Sequence, residues 1–205
     1  MTIDRYVYER ALWEAGIVHI AGADEVGRGA CAGPLVAAAV ILPQDAAQLL
    51  PDVNDSKQLT PLRRERLAAR IYNCALAVAV AEIEPAECDR LGMGAADLTG
   101  LRNALLALAV PPEHALIDGF AVSGLPYPHQ AIIKGDSLSA SIAAASIVAK
   151  VWRDRLMVEL SESWPEYGFE KHKGYPTAQH QAALECYGPS PIHRFSYANV
   201  ARTVR

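Results

Sequence analysis

With 205 residues, 51% hydrophobic and 20% charged, the chain suits one domain with a sizeable core and excludes a disordered segment. A net charge of −4 argues against a generally basic nucleic-acid binder, yet it leaves room for a local basic groove beside a carboxylate cluster. The cysteines at 31, 74, 88 and 186 form no CxxC pair, which speaks against a zinc site or disulfide framework, and no apolar run approaches the ~18 residues of a membrane span. A soluble, cytoplasmic monomer without membrane association is the expectation.

Residues 17–23 are short and apolar, and a glycine-rich loop follows them. Leu35 to Leu42 is a second apolar run, stopped by Pro43. Two such runs joined by a loop predict neighbouring buried strands. Pro61 to Tyr72 reads as a helix, with Thr60 as its N-cap and Pro61 in the first helical position. Cys74 to Ile83 suits a third strand, although its alanines keep a helix in competition. Pro85 to Ala109 is helical, interrupted around Gly92 and Gly94, and Pro111-Pro112 ends it. Ala115–Ile117 and Ala131–Ile133 are short strands running into Asp118-Gly119 and Gly135-Asp136. The longest helix spans about Ser139 to Glu162, closed by Trp164-Pro165, and another spans Ala178 to Cys186 before Gly188-Pro189. The pattern predicts an α/β fold in one domain over 1–205: a mixed central sheet of about five strands flanked by helices. Residues from about 165 to 205 would form a small helical C-terminal extension.

Three predicted strand ends carry acids: Asp24-Glu25 after the first strand, Asp118 after the fourth and Asp136 after the fifth. Sites in α/β sheets gather outside the carboxyl ends of strands. Carboxylates sharing one cleft repel and raise one another's pKa, and hard divalent cations relieve that conflict. Two ions about 4 Å apart would activate water and stabilise the leaving oxygen of a phosphodiester. Any single Asp before Gly is equally well an ordinary turn residue; the joint placement favours chemistry.

Gly27-Arg28-Gly29 offers close backbone approach beside a guanidinium, which suits a phosphate or sugar hydroxyl as well as a tight turn with a surface arginine. A dinucleotide loop fits poorly, because the spacing through Gly33 is one residue too long and two acids precede it. Ser56 and Lys57, within Asn54-Asp55-Ser56-Lys57, are candidate phosphate contacts, with a solvated turn as the alternative. Lys134 would balance the acids or touch a nucleic-acid backbone, or simply be solvated. Lys150, Arg153 and Arg155 make one end of the long helix basic, diluted by Asp154, Glu159 and Glu162. In Lys171-His172-Lys173-Gly174-Tyr175-Pro176, cations flank an aromatic able to stack on a base or sugar.

Together these segments resemble ribonuclease HII. ADEVGRGACAGPLVAAAV, NDSKQLT, LIDG, IIKGDSLSASIAAASIVAKVWRDR, HKGYPT and GPSPIHR follow the family's order over roughly Ile17 to Arg194. The resemblance implies a ribonuclease H-like fold and cleavage of the RNA strand of RNA–DNA hybrids. The implied cofactor is Mn²⁺ or Mg²⁺, with two ions in the substrate complex. It further implies incision 5′ to single ribonucleotides embedded in duplex DNA, leaving 3′-hydroxyl and 5′-phosphate ends. By motif, Asp24, Glu25, Asp118 and Asp136 match the family's metal-binding carboxylates, Asp24 and Asp136 being the most direct ligands. Gly27, Arg28 and Gly29 match the loop that reads a 2′-hydroxyl, and Tyr175 matches the tyrosine that packs on the adjacent sugar. Ser56, Lys57, Lys134 and Lys150 join them as substrate contacts. Val26 stands where alanine is usual, Cys31 where leucine is common, and Phe195 where a second arginine is expected after Arg194. Two other readings compete: a metal-dependent phosphoesterase indifferent to ribonucleotides, and a non-catalytic nucleic-acid-binding module.

Overall fold

The computed structural model describes residues 4–53 and 56–204. Helix α1 (Val7–Glu14) leads into strands β1 (Ile20–Val26) and β2 (Leu35–Ile41), the short α2 (Ala46–Leu49), a 3-10 turn at Ser56–Gln58, and α3 (Pro61–Cys74). Strand β3 (Ala77–Ile83), helices α4 (Pro85–Leu91) and α5 (Met93–Leu106), and strand β4 (His114–Asp118) follow. Strand β5 (His129–Ile132), the short α6 (Gly135–Leu138) and the long α7 (Ala140–Ser163) come next. The chain closes with α8 (Phe169–His172), α9 (Ala178–Tyr187) and α10 (Ala198–Ala201).

The strands form one mixed five-stranded sheet in the order β3-β2-β1-β4-β5. β3, β2 and β1 pair antiparallel, while β1, β4 and β5 pair parallel. Alternation along β2 sets the layers, because successive side chains point to opposite faces. Val36, Ala38 and Val40 join the core beneath α3 and α7; Ala37, Ala39 and Ile41 join the core beneath α5. Helices therefore cover both faces, as the unbroken apolar run implies. The small residues at the start of α7 permit close approach: a Cβ on Gly22 would lie 2.0 Å from the Ser141 carbonyl carbon. Ala32, Met157, Phe169 and Leu184 form a further core that seats the C-terminal helices on the loop after β1.

Several boundaries differ from the expectations. β1 starts at Ile20, not Ile17, because the amides of Val18 and His19 donate to the Glu113 carboxylate at 2.6 and 2.8 Å instead of joining a ladder. α3 runs through Cys74, so β3 starts only at Ala77. β5 is His129–Ile132, and Ile133 stands 77% exposed beyond it. Gly92 splits the Pro85–Ala109 stretch into two helices. Thr60 and Ser139 do cap α3 and α7, each accepting a backbone amide. Helix α1 lies outside every element expected from the sequence. Its buried Glu9 accepts from Ser139 Oγ at 2.6 Å and from the Ser141 amide at 2.8 Å, so an acid caps α7 from 130 residues away.

Candidate active site

Asp24 and Glu25 lie within β1, not in the loop after it, because pairing with β2 continues to Val26 opposite Val36. Being adjacent on a strand, they face opposite sides of the sheet. Asp24 turns toward α7, where the Ser146 side chain hydrogen-bonds to it, and Glu25 turns toward α5 and Asp97. β4 runs parallel to β1 with Ile117 opposite Ala23, which brings Asp118 beside Asp24. Asp118 Oδ1 accepts the Gly135 amide at 2.6 Å, tying the end of β4 to α6. Asp136 sits in the first turn of α6, not at a strand end, and is nearly buried.

These acids are short of positive charge. Burial holds the Asp24 carboxyl well above the usual range, and Glu25 and Asp118 add to the rise. Burial pushes Glu25 up to about 7, reinforced by Asp97 and Asp118. Burial also raises Asp118, against the bond from Gly135, and Asp136 adds to it. The Lys57 ammonium stands 2.8 Å from Asp136 Oδ2, a cation already drawn to the cluster's edge. Among the described residues, no three carboxylate, imidazole or thiol groups gather closely enough to hold an ion unaided. An all-oxygen set spaced this widely fits a hard divalent cation that completes its shell with water and substrate phosphate.

The glycine–arginine loop is built from below. Gly27 has φ 95°, and a Cβ there would lie 2.3 Å from Arg153 Nε. Arg153 was expected to help make one end of α7 basic toward a polyanion; it is instead fully buried. Its guanidinium donates to the carbonyls of Pro34, Ala32 and Lys173 at 2.9, 3.0 and 2.9 Å. Arg194 is fully buried too, donating to Gly33 and Gly27 carbonyls. Phe195 is half-exposed and its amide donates to Asp89 at 2.6 Å. Above these clamps Arg28 remains 50% exposed, with Nε 3.0 Å from Asp97 Oδ2 and its guanidinium 5.8 Å from the Phe120 ring centroid. The sequence offered no signal for Asp97, an acid inside a helix that burial and Arg28 alone single out.

Asp24, Glu25, Ser56, Lys57, Lys150 and Tyr175 line one cleft of about 330 Å³. Ser56 is buried with its hydroxyl 2.9 Å from that of Ser146; Asn54 and Asp55 lie outside the described residues. Lys150 Nζ donates to Asp154 at 2.6 Å and lies 5.9 Å from the Tyr175 ring centroid. Tyr175 passes over the loop, its Cε1 being 3.8 Å from where a Gly29 Cβ would stand. Asp118, Asp136, Arg28 and Lys134 do not line that cleft; Lys134 is exposed in a left-handed conformation with φ 58°, and it makes no ion pair with the acids among the described residues. Glu25 and Arg28 also border a second cavity of about 430 Å³ with Asp97, Leu98, Leu101 and Phe120.

Known proteins resemble this chain over nearly its whole length. The model of the family described as ribonuclease HII matches residues 21–200. A ribonuclease HII of Salinispora arenicola is 55% identical over 196 residues, spanning 96% of this chain and 73% of that protein. One from Cutibacterium acnes is 53% identical over 198 residues, 97% of each chain. The crystal structure of ribonuclease H2 from Pyrococcus horikoshii OT3 superposes with a TM-score of 0.80 at 30% identity, covering 90% of this chain and 96% of that one. With acids at the aligned ends of β1 and β4 and in α6, an arginine in a glycine loop and this breadth of similarity, the chain belongs to the ribonuclease HII family, nucleases that cut the RNA of RNA–DNA hybrids.

Proposed function

We propose that this enzyme incises duplex DNA 5′ to a single embedded ribonucleotide, besides cutting hybrids. The observation that supports this most is the pairing of half-exposed Arg28 with buried Asp97 directly beside Glu25. A guanidinium anchored at one edge, next to the loop amides and the acids, is suited to a sugar hydroxyl adjoining the scissile phosphate.

Asp24, Glu25, Asp118 and Asp136 would hold Mg²⁺ or Mn²⁺, two ions in the substrate complex. Bound there, the metal supplies activation of water and stabilisation of the leaving oxygen. The chain's own residues then position the substrate. Arg28 and the amides of Gly27 and Gly29 meet the 2′-hydroxyl, and Tyr175 packs on the neighbouring sugar. Ser56, Lys57 and Lys150 face the phosphates, where Lys57 must leave Asp136 as the polyanion arrives. Exposed Lys134 would serve only as an outer phosphate contact. Hydrolysis proceeds without a covalent enzyme intermediate and leaves 3′-hydroxyl and 5′-phosphate ends.

The test uses a DNA duplex carrying one ribonucleotide, incubated with Mg²⁺ or Mn²⁺ and then with chelator. Incision 5′ to the ribonucleotide that stops on chelation is expected. Equal cutting of an all-DNA duplex would favour an indiscriminate phosphoesterase, and binding without turnover a non-catalytic module. Asp24→Asn is expected to abolish cleavage, by about 10³-fold or more, while circular dichroism stays unchanged.

A further inference from the structure

Behind Tyr175 lies a set of histidines that the chemistry above does not use. His180 and His193 are buried, their Nε2 atoms 3.0 Å apart. His180 Nδ1 lies 3.0 Å from the Tyr175 carbonyl oxygen. His193 Nδ1 lies 2.9 Å from the Ser190 amide and 2.8 Å from the Ser190 hydroxyl. His172 stacks on His180 with centroids 4.5 Å apart.

Backbone groups settle which nitrogens carry protons. The Ser190 N–H can only donate, so His193 Nδ1 accepts, and in the neutral ring its Nε2 then bears the hydrogen. The Ser190 carbonyl accepts the His193 amide at 3.0 Å and stands farther from Nδ1, at 3.3 Å, than the Ser190 N–H does. His193 Nε2–H therefore donates to His180 Nε2, which leaves His180 protonated on Nδ1 and donating to the Tyr175 carbonyl. That carbonyl also accepts the Thr177 amide at 2.8 Å, so both its lone pairs are used. The result is one directed chain: Ser190 amide, His193, His180, Tyr175. An added proton has no place in it, because it would set Nε2–H against Nε2–H or Nδ1–H against the Ser190 N–H. Burial accordingly pushes both imidazoles down to about 4.

We propose that His193 and His180 are a positioning pair, a neutral relay that fixes the Tyr175 backbone and with it the ring's stance over the glycine–arginine loop. Its kinetic consequence rests on the role given to Tyr175 above; its protonation pattern does not. The Tyr175 amide is held by the His172 carbonyl at 2.9 Å and the Gly174 carbonyl by the Cys31 amide at 3.0 Å, so the His180 bond completes a backbone clamp.

Two experiments test it. Histidine ¹⁵N chemical shifts of the intact protein at pH 7 are expected to give neutral His193 protonated on Nε2 and neutral His180 protonated on Nδ1. The reverse tautomers, or a charged ring at either position, would overturn the relay. Kinetics on an RNA–DNA hybrid with Mg²⁺ follow. His180→Phe is expected to raise KM by roughly five- to tenfold, with a smaller effect on kcat. His180→Asn, whose amide nitrogen sits near the Nδ1 position, is expected to restore most of the loss. Combining His180→Phe with Tyr175→Ala should give no further loss beyond the worse single variant. Additive losses, or failure of Asn to rescue a folded protein, would refute the positioning role. If Tyr175→Ala itself leaves KM unchanged, the substrate role of Tyr175 falls, while the ¹⁵N shifts still decide the relay.

Discussion

At the scale of single residues, the adjacency of Asp24 and Glu25 carries the most information. Their pairing in sequence sends them to opposite sheet faces, so each meets a different partner: Ser146 in α7's small-residue stretch, Asp97 on α5. The acids are destabilising to the fold unless a cation joins them, since burial and mutual repulsion both oppose their charge. Glu25→Gln is therefore expected to raise the Tm of metal-free protein at pH 7.5 by roughly 3 °C and to shrink the further rise on adding Mg²⁺. Thermal denaturation in chelator and in Mg²⁺ checks this; a lower Tm in chelator would contradict it. The acids and Arg28 were legible because residue type and spacing carry them. Asp97 was not, because nothing in its helix distinguishes it until the fold sets it against Arg28. Arg153 misled for the same reason: a surface-type residue became an internal clamp only once two distant loops converged on it.

At the scale of elements, close contact between β1 and α7 is the hinge of the design. Gly22 on β1 faces the backbone of Ser141, and a methyl group would enter at 2.0 Å from a carbonyl carbon. Gly22→Ala must therefore push α7 off the sheet, with an expected loss of about 3 kcal/mol in urea unfolding. The same displacement would move Ser146 away from Asp24, so cleavage should fall more than the fraction folded. Caps and prolines made α3, α7 and α9 readable to within a few residues, since those signals are local. α1 escaped notice because its reason for ordering is Glu9 reaching the N-terminus of α7, a contact no window of sequence contains.

At the scale of the whole molecule, two sets of desolvated titratable groups pull stability in opposite directions with pH. Glu25 rises from its ordinary value of 4.5 to about 7, so the native state holds more protons than the unfolded one across that interval. Its contribution is fully present at low pH and is lost as pH rises through 7. His180 and His193 fall from 6.5 to about 4, so the native state holds fewer protons. Their contribution is complete above pH 6.5 and is lost as pH falls toward 4. Urea unfolding of metal-free protein is expected to show a maximum between these limits, and Mg²⁺ should lift the alkaline side selectively. Equal stabilisation by Mg²⁺ at pH 5 and pH 8 would contradict the assignment. The sequence alone determined the α/β class, the order of the five strands and of the longer helices α3, α7 and α9, the acids and the glycine–arginine loop, because apolar periodicity, caps and residue chemistry are written locally. Only the tertiary structure decided which groups face one another: parallel pairing of β1 with β4 brings acids 94 positions apart to one end of the sheet, and the buried Arg153 and Arg194 hold the glycine–arginine loop beside them. Such contacts depend on register and layer packing between distant segments, and no local pattern encodes them.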